Sequence, residues 1–141
     1  MDLPNSTSDL GTLGETFVAE WLQSQGAIVL AHQWNCRSGE LDLVVKTADE
    51  IIAFVEVKTR SRGNWDSDGA LSITLTKQRK ILTAAQLFLL KHPEFENLPC
   101  RFDVALVRYT KKRGNPPTPA TSPHLTKNQF SLQDYICNAF D

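Results

Sequence analysis

Three ionisable side chains stand in a stretch that otherwise has the composition of a buried strand. Asp42 is followed, after thirteen intervening residues, by Glu56, Val57 and Lys58. Residues 51–57 are apolar at every position except Glu56, which is typical of a central strand covered on both faces. Two buried carboxylates repel each other, and a lysine can offset only one charge. A hard divalent cation such as Mg²⁺, which prefers oxygen ligands, would offset both.

The two strands that carry these residues, 40–46 and 51–58, are predicted to form a hairpin. Side chains alternate along a strand, and a three-residue loop at 48–50 pairs residues whose numbers sum to 98. Asp42 then lies opposite Glu56, with Cβ atoms about 5 Å apart. The strand context, the burial and the register together favour a metal site over plain ion pairs on a half-exposed sheet.

The rest of the chain predicts an α/β fold around one mixed sheet. Apolar spacing indicates four further elements: helices over 9–25 and 76–91, and strands over 27–34 and 101–109. Glu15 falls at the edge of the apolar stripe of the first helix. The C-terminal segment 128–140 fits either a short strand or a helical turn. We predict a single domain over residues 1–141, with a mobile, Pro-rich loop at 110–124.

Composition excludes several classes of protein. The chain has 141 residues, 41% of them hydrophobic, and no apolar run approaches the ~20 residues that span a bilayer. The N-terminus lacks the pattern of a signal peptide, so we expect a cytoplasmic protein that does not associate with a membrane. The three cysteines form no CxxC pair, which argues against zinc. The net charge of −1 combines −7 over residues 1–57 with +6 over residues 58–141.

Six motifs are spread along nearly the whole chain, from about residue 11 to 140: "LGETFVAEWL", "GELDLVV", "FVEVKTRS", "KQRKI", "RFDVALV" and the terminal "NAF". The "D…EVK" spacing resembles the PD-(D/E)xK signature of the restriction-endonuclease-like superfamily. The chain as a whole is similar to the YraN-like family of small proteins regarded as endonucleases. This resemblance implies a restriction-endonuclease-like fold, a mixed central β-sheet flanked by helices. Leu41 replaces the proline of the signature, and Leu82 replaces a tyrosine that the exonuclease-type branch carries four residues after its glutamine.

The resemblance also implies roles for individual residues. Asp42, Glu56 and the Val57 carbonyl would hold Mg²⁺ or Mn²⁺, and Lys58 would position the attacking water. Glu15 matches an extra acidic residue that archaeal Holliday-junction resolvases bring from the first helix. Two further residues are expected to support the site: Glu40 as part of the acidic cluster, and Gln78 as a helix glutamine near it. Gln78 fits a polar residue at a helix N-terminus equally well.

Basic residues flank these motifs and predict contacts to nucleic-acid phosphates: Arg37, Lys58, Arg60, Arg62, Lys77, Arg79 and Lys80. Trp65 could stack on a base or anchor the loop around it. The sequence thus predicts a metal-dependent endonuclease, with DNA as the expected substrate. It is compatible with a homodimer and does not decide the oligomeric state. Two alternatives remain: a nuclease fold that binds nucleic acid or a protein without cutting, and a purely structural domain with incidental ion pairs.

Overall fold

The helices and strands follow the order predicted from the sequence. A computed structural model describes residues 7–61, 73–110 and 129–140. A short 3₁₀ helix, Pro93–Phe95, precedes the fourth strand. The main elements are α1 (Thr7–Ser24), β1 (Ile28–Cys36), β2 (Gly39–Lys46), β3 (Ile52–Arg60), α2 (Leu75–Lys91), β4 (Cys100–Tyr109) and β5 (Phe130–Phe140).

The five strands form one mixed sheet in the order β1-β2-β3-β4-β5. Neighbouring strands are antiparallel except β3 and β4, which are parallel and are joined through α2. A parallel pair needs such a crossover, because its second strand must start again at the same end of the sheet. The expected α/β fold, a mixed central sheet with flanking helices, is therefore confirmed.

Each helix covers one face of the sheet. Ile81 and Phe88 of α2 pack in one cluster with Ile52 and Phe54, whereas Val18 of α1 packs in a second cluster with Ala53 and Val55. Strand β3 therefore buries apolar side chains on both faces, as its uninterrupted apolar run predicts. Glu56 continues this strand where it reaches the edge of the core.

The predicted register of the β2–β3 hairpin is confirmed. Leu43 pairs with Val55, and the pairs continue to Lys46 and Ile52, so that paired numbers sum to 98. Thr47 closes the turn, since its hydroxyl accepts a hydrogen bond of 3.1 Å from the Ile51 N–H.

The C-terminal segment, for which the sequence left two alternatives, is the strand β5 at one edge of the sheet. A fully buried carboxylate ties it to β4. Asp103 accepts hydrogen bonds from the Tyr135 hydroxyl at 2.6 Å and from the Asn138 N–H at 3.1 Å. Arg101 Nε lies 3.0 Å from the same carboxylate. These contacts, which the sequence did not predict, supply the donors that a buried carboxylate requires.

Some predictions lie outside the described residues, namely those on Arg62, Trp65 and the segment 111–124 of the predicted loop. The single domain over the whole chain also stays a prediction. Within the described part of the chain, no helix is both long and apolar enough to cross a membrane.

Candidate functional site

A cavity of about 630 Å³ opens where β2 and β3 separate, between the N-terminal half of α1 and the start of α2. Carboxylates from α1, β2 and β3 face ammonium groups from α2 across it. Its charged lining residues, among those described, are Glu15, Glu40, Asp42, Glu56, Lys77 and Lys80. The cavity therefore combines an acidic cluster with a basic wall.

The two strands part at Asp42. Their backbone pairing ends at Leu43 and Val55. Asp42 is the residue before Leu43 in β2, and its Oδ2 accepts a hydrogen bond of 2.8 Å from the Val57 N–H. A side-chain carboxylate thus satisfies a backbone donor that lies beyond the last paired residues. This hydrogen bond fixes the Asp42 carboxylate beside Glu56, the neighbour predicted from the hairpin register.

Strand β1 is distorted next to the same carboxylate. Gln33, which the β1–β2 register places beside Asp42, has a φ of 48°, in the left-handed region that few non-glycine residues adopt. Its Nε2 donates to Oε1 of Glu15 at 3.0 Å and to the Thr12 hydroxyl at 3.2 Å. Backbone strain of this kind clusters at functional sites. Here it accompanies the contact that holds Glu15 towards the sheet.

Glu15 reaches the cavity because α1 lies unusually close to β3. A Cβ atom on Gly14 would stand 2.1 Å from the Thr59 hydroxyl oxygen, so this contact requires a glycine. Glu15, Glu40 and Asp42 can each place one carboxylate oxygen within 4.8 Å of the others. Glu15 is buried, Asp42 is half-buried and Glu40 is exposed. The structure thus brings the predicted extra acidic residue of the first helix into the cluster.

Glu15 and Asp42 hold protons that ordinary carboxylates release. Burial raises the pKa of Glu15 to about 7, against the opposing effect of the Gln33 hydrogen bond. Burial also raises the pKa of Asp42 to about 10, with the hydrogen bond and charge of Glu56 adding to it. Clustered carboxylates ionise together only when a cation offsets their charge. Their oxygen ligands and spacing fit a hard divalent cation such as Mg²⁺ or Mn²⁺.

Glu56 is paired with a lysine that the sequence did not single out for this purpose. Its side chain is 4% exposed, and its Oε2 lies 3.0 Å from Nζ of Lys77 on α2. Oε2 accepts no well-directed hydrogen bond from the described residues, so this contact is an ion pair. Burial alone would lower the pKa of Lys77, but the charge and hydrogen bonding of Glu56, together with smaller effects of Lys58 and Asp42, raise that pKa overall. Lys58 lies nearby, and burial followed by the charge of Lys77 lowers its pKa.

The other predicted residues lie around this centre. Gln78 donates from Nε2 to the Ile73 carbonyl at 3.0 Å, a contact that holds the start of α2. This contact agrees with the second interpretation of Gln78, a polar residue at a helix N-terminus. Arg37 is exposed in the β1–β2 turn, Arg60 is exposed at the end of β3, and Arg79 is exposed on α2. Among the predicted phosphate-binding residues that the structure describes, Lys77 and Lys80 line the cavity.

The sequence did not predict the role of Gln33 or the partner of Lys77. Gln33 carried no signal, because a polar residue in an edge strand is ordinary. Lys77 was assigned to the basic rim, and its pairing with Glu56 depends on how α2 packs against the sheet.

The fold and the cavity define a class: a small α/β protein whose arrangement is consistent with the restriction-endonuclease-like fold. The model of the family described as "Uncharacterised protein family UPF0102" matches residues 14–107. A UPF0102 protein from Nostoc sp. is 45% identical over 137 residues, which cover 94% of each chain. Another from Synechococcus sp. is 44% identical and covers 99% of this chain and 98% of its own. The chain belongs to the UPF0102 family, which confirms the resemblance to YraN-like proteins.

Proposed function

We propose that this protein is a metal-dependent nuclease that hydrolyses phosphodiester bonds, with DNA as its first expected substrate. The observation that carries the proposal is the convergence of Glu15, Glu40 and Asp42 in one cavity with Glu56. Four acidic side chains repel one another when all are ionised, and a folded protein keeps such an arrangement at a cost in stability. A bound divalent cation would offset these negative charges and would give the cavity its role in phosphodiester hydrolysis.

Asp42, Glu56 and the Val57 carbonyl are the proposed ligands of Mg²⁺ or Mn²⁺, with Glu15 and Glu40 beside them. When bound, the cation would polarise a phosphodiester and lower the pKa of a water molecule. The Val57 N–H orients the Asp42 carboxylate, and Gln33 orients that of Glu15. These hydrogen bonds hold the acidic side chains in place before a ligand arrives, which reduces the cost of ordering them on binding.

Lys58 is proposed to position the attacking water and to stabilise negative charge that develops on the phosphate. It follows Glu56 by two residues on β3, so both side chains emerge on the same face of the strand. Its half-buried position and its lowered pKa make proton transfer at its amine easier than for a lysine in water.

The start of α2 is proposed to receive the substrate backbone. Lys77 and Lys80 line the cavity there. The unpaired N–H groups and the positive end of a helix dipole also attract phosphate. Such contacts recognise the backbone of a nucleic acid and carry no sequence preference. The proposal is therefore a nuclease without base-specific recognition.

Cleavage of a labelled panel of nucleic acids tests the proposal. The panel contains single-stranded DNA, duplex, flap, four-way junction and RNA, each with Mg²⁺, Mn²⁺ or EDTA. We expect cation-dependent cutting that falls by about 10²-fold or more in Asp42→Asn and in Lys58→Ala, the range for loss of a group that assists proton transfer. Glu94→Gln, the same chemical change on the exposed Glu94 beyond the far end of α2, should retain wild-type cutting.

The opposite result has a clear meaning. If folded wild-type protein cuts nothing on the panel, and both variants bind nucleic acid as tightly as the wild type without any cation, the nuclease proposal fails. A non-cleaving binding module on a nuclease fold would then be the better description.

A further inference from the structure

Lys77 stands at a position that disfavours a cation. The Thr74 hydroxyl caps α2 by accepting the Lys77 N–H, so Lys77 belongs to the first turn of the helix. The positive end of the helix dipole repels an ammonium group there, and no acidic residue in that turn offsets it. The contact that compensates is the ion pair between Lys77 Nζ and Glu56 Oε2, at 3.0 Å.

The two partners of this ion pair differ in their freedom to move. The side chain of Glu56 is 4% exposed and is held in the central strand, whereas that of Lys77 is 46% exposed. The flexible four-carbon stem of a lysine can therefore carry its ammonium out of the contact into the open cavity. Glu56 has no such alternative, and its buried carboxylate needs a positive charge beside it.

We propose that Lys77 is a positioning residue that serves as the internal counter-ion of Glu56 until a divalent cation binds. Cation binding then releases its ammonium towards a backbone phosphate of the substrate. This inference rests on the proposed function, since it takes Glu56 as a ligand of the cation. It assigns Lys77 two successive partners, a carboxylate before the cation enters and a phosphate afterwards, and it makes cation and nucleic-acid binding mutually dependent.

Calorimetric titration with Mn²⁺, without nucleic acid, tests the first half of the proposal. Lys77→Met removes the competing ammonium, and Lys80→Met removes one positive charge from the same cavity without that ion pair. We expect Lys77→Met to bind Mn²⁺ about fivefold more tightly than the wild type, the upper end of what a half-exposed ion pair contributes. Lys80→Met should stay within about twofold.

Thermal unfolding gives a second readout. Without a cation, Lys77→Met leaves the Glu56 carboxylate without its partner, so its Tm should fall by about 3–6 °C. Saturating Mn²⁺ should remove most of that difference. If Lys77→Met does not fold, ¹⁵N-lysine NMR of the wild type replaces it: Mg²⁺ should shift the ammonium resonance of Lys77, assigned with Lys77→Arg, more than that of Lys80.

Fluorescence anisotropy of a labelled DNA duplex tests the release of the ammonium, with Ca²⁺ as the cation. Lys77→Met should weaken DNA binding severalfold in Ca²⁺ and leave it unchanged in EDTA.

Three results would overturn the inference. Equal Mn²⁺ affinity of Lys77→Met and Lys80→Met would show that Lys77 does not compete with the cation. An equal loss of DNA affinity in Ca²⁺ and in EDTA would show that its ammonium is available from the start. Wild-type protein that binds no Mn²⁺ would remove the proposed metal site itself, and the proposed function with it. The first two results leave the nuclease proposal intact.

Discussion

The carboxyl groups of Glu15 and Asp42 are protonated over a pH range in which exposed carboxylates are ionised. Burial raises both pKa values, to about 7 for Glu15 and to about 10 for Asp42. In the unfolded chain both groups return to their ordinary pKa values near 4. The folded protein therefore binds more protons than the unfolded chain between those limits, and its stability falls as the pH rises.

We expect the Tm of the cation-free protein to fall as the pH is raised from 5 to 8. The folded protein keeps a proton on Glu15 up to about pH 7 and on Asp42 up to about pH 10, whereas the unfolded chain has released both. Asp42→Asn should raise Tm at pH 8 by about 3–6 °C, because the raised pKa means that Asp42 must take up a proton on folding, whereas the amide needs none. The amide oxygen can still accept the Val57 N–H. Circular dichroism at several pH values, with EDTA present, measures both effects.

Glu94→Gln serves as the control, because Glu94 is exposed and lies away from the cluster. It should reproduce the pH dependence of the wild type. A wild-type Tm that rises between pH 5 and pH 8 would contradict the raised pKa values and the burial that causes them.

Helix α1 delivers Glu15 to the site only because it approaches β3 at Gly14. Gly14→Ala would place a Cβ atom 2.1 Å from the Thr59 hydroxyl oxygen, so the helix must move away from the strand. Overpacking of this kind costs about 1–3 kcal/mol of unfolding free energy. Because Glu15 is the next residue on the helix, we also expect Mn²⁺ affinity to fall severalfold. Urea unfolding and calorimetry measure the two effects.

Gly11→Ala is the matched control on the same helix. A Cβ atom at Gly11 meets nothing within 4 Å, so alanine there should stabilise the helix by about 0.5–1 kcal/mol. Combining Gly14→Ala with Thr59→Ala removes the clashing hydroxyl and should restore part of the stability. A Gly14→Ala variant as stable as the wild type would show that α1 does not need this close approach.

The sheet as a whole is anchored at β5 by contacts that lie away from the cavity. The Tyr135 hydroxyl donates to the fully buried Asp103 carboxylate at 2.6 Å, which links β5 to β4. The cavity opens at the other side of β3, where β2 separates from it. Stability and cation binding should therefore depend on different parts of the molecule.

Tyr135→Phe tests this separation. Loss of one donor leaves the Asp103 carboxylate less well satisfied, so the free energy of unfolding should fall by about 1–3 kcal/mol in urea titrations. Mn²⁺ affinity, measured well below the unfolding transition, should stay within twofold of the wild type. A larger change in affinity would mean that β5 influences the position of the acidic cluster.

Much of this arrangement is determined by local sequence patterns. The apolar run around Glu56 predicted a central strand, and the short turn set the register that brings Asp42 beside Glu56. Both follow from the alternation of side chains along a strand and from loop length, which act over a few residues. The two long helices followed in the same way from their apolar spacing.

The tertiary structure alone decided which distant groups meet. The pairing of Lys77 with Glu56 depends on how α2 packs on the sheet, and the arrival of Glu15 depends on the approach of α1 at Gly14. Strand β5 likewise became recognisable only through its partner β4. Periodicity and propensity describe a segment by itself, whereas these contacts join segments far apart in sequence. Their geometry is therefore set by the packing of the whole chain.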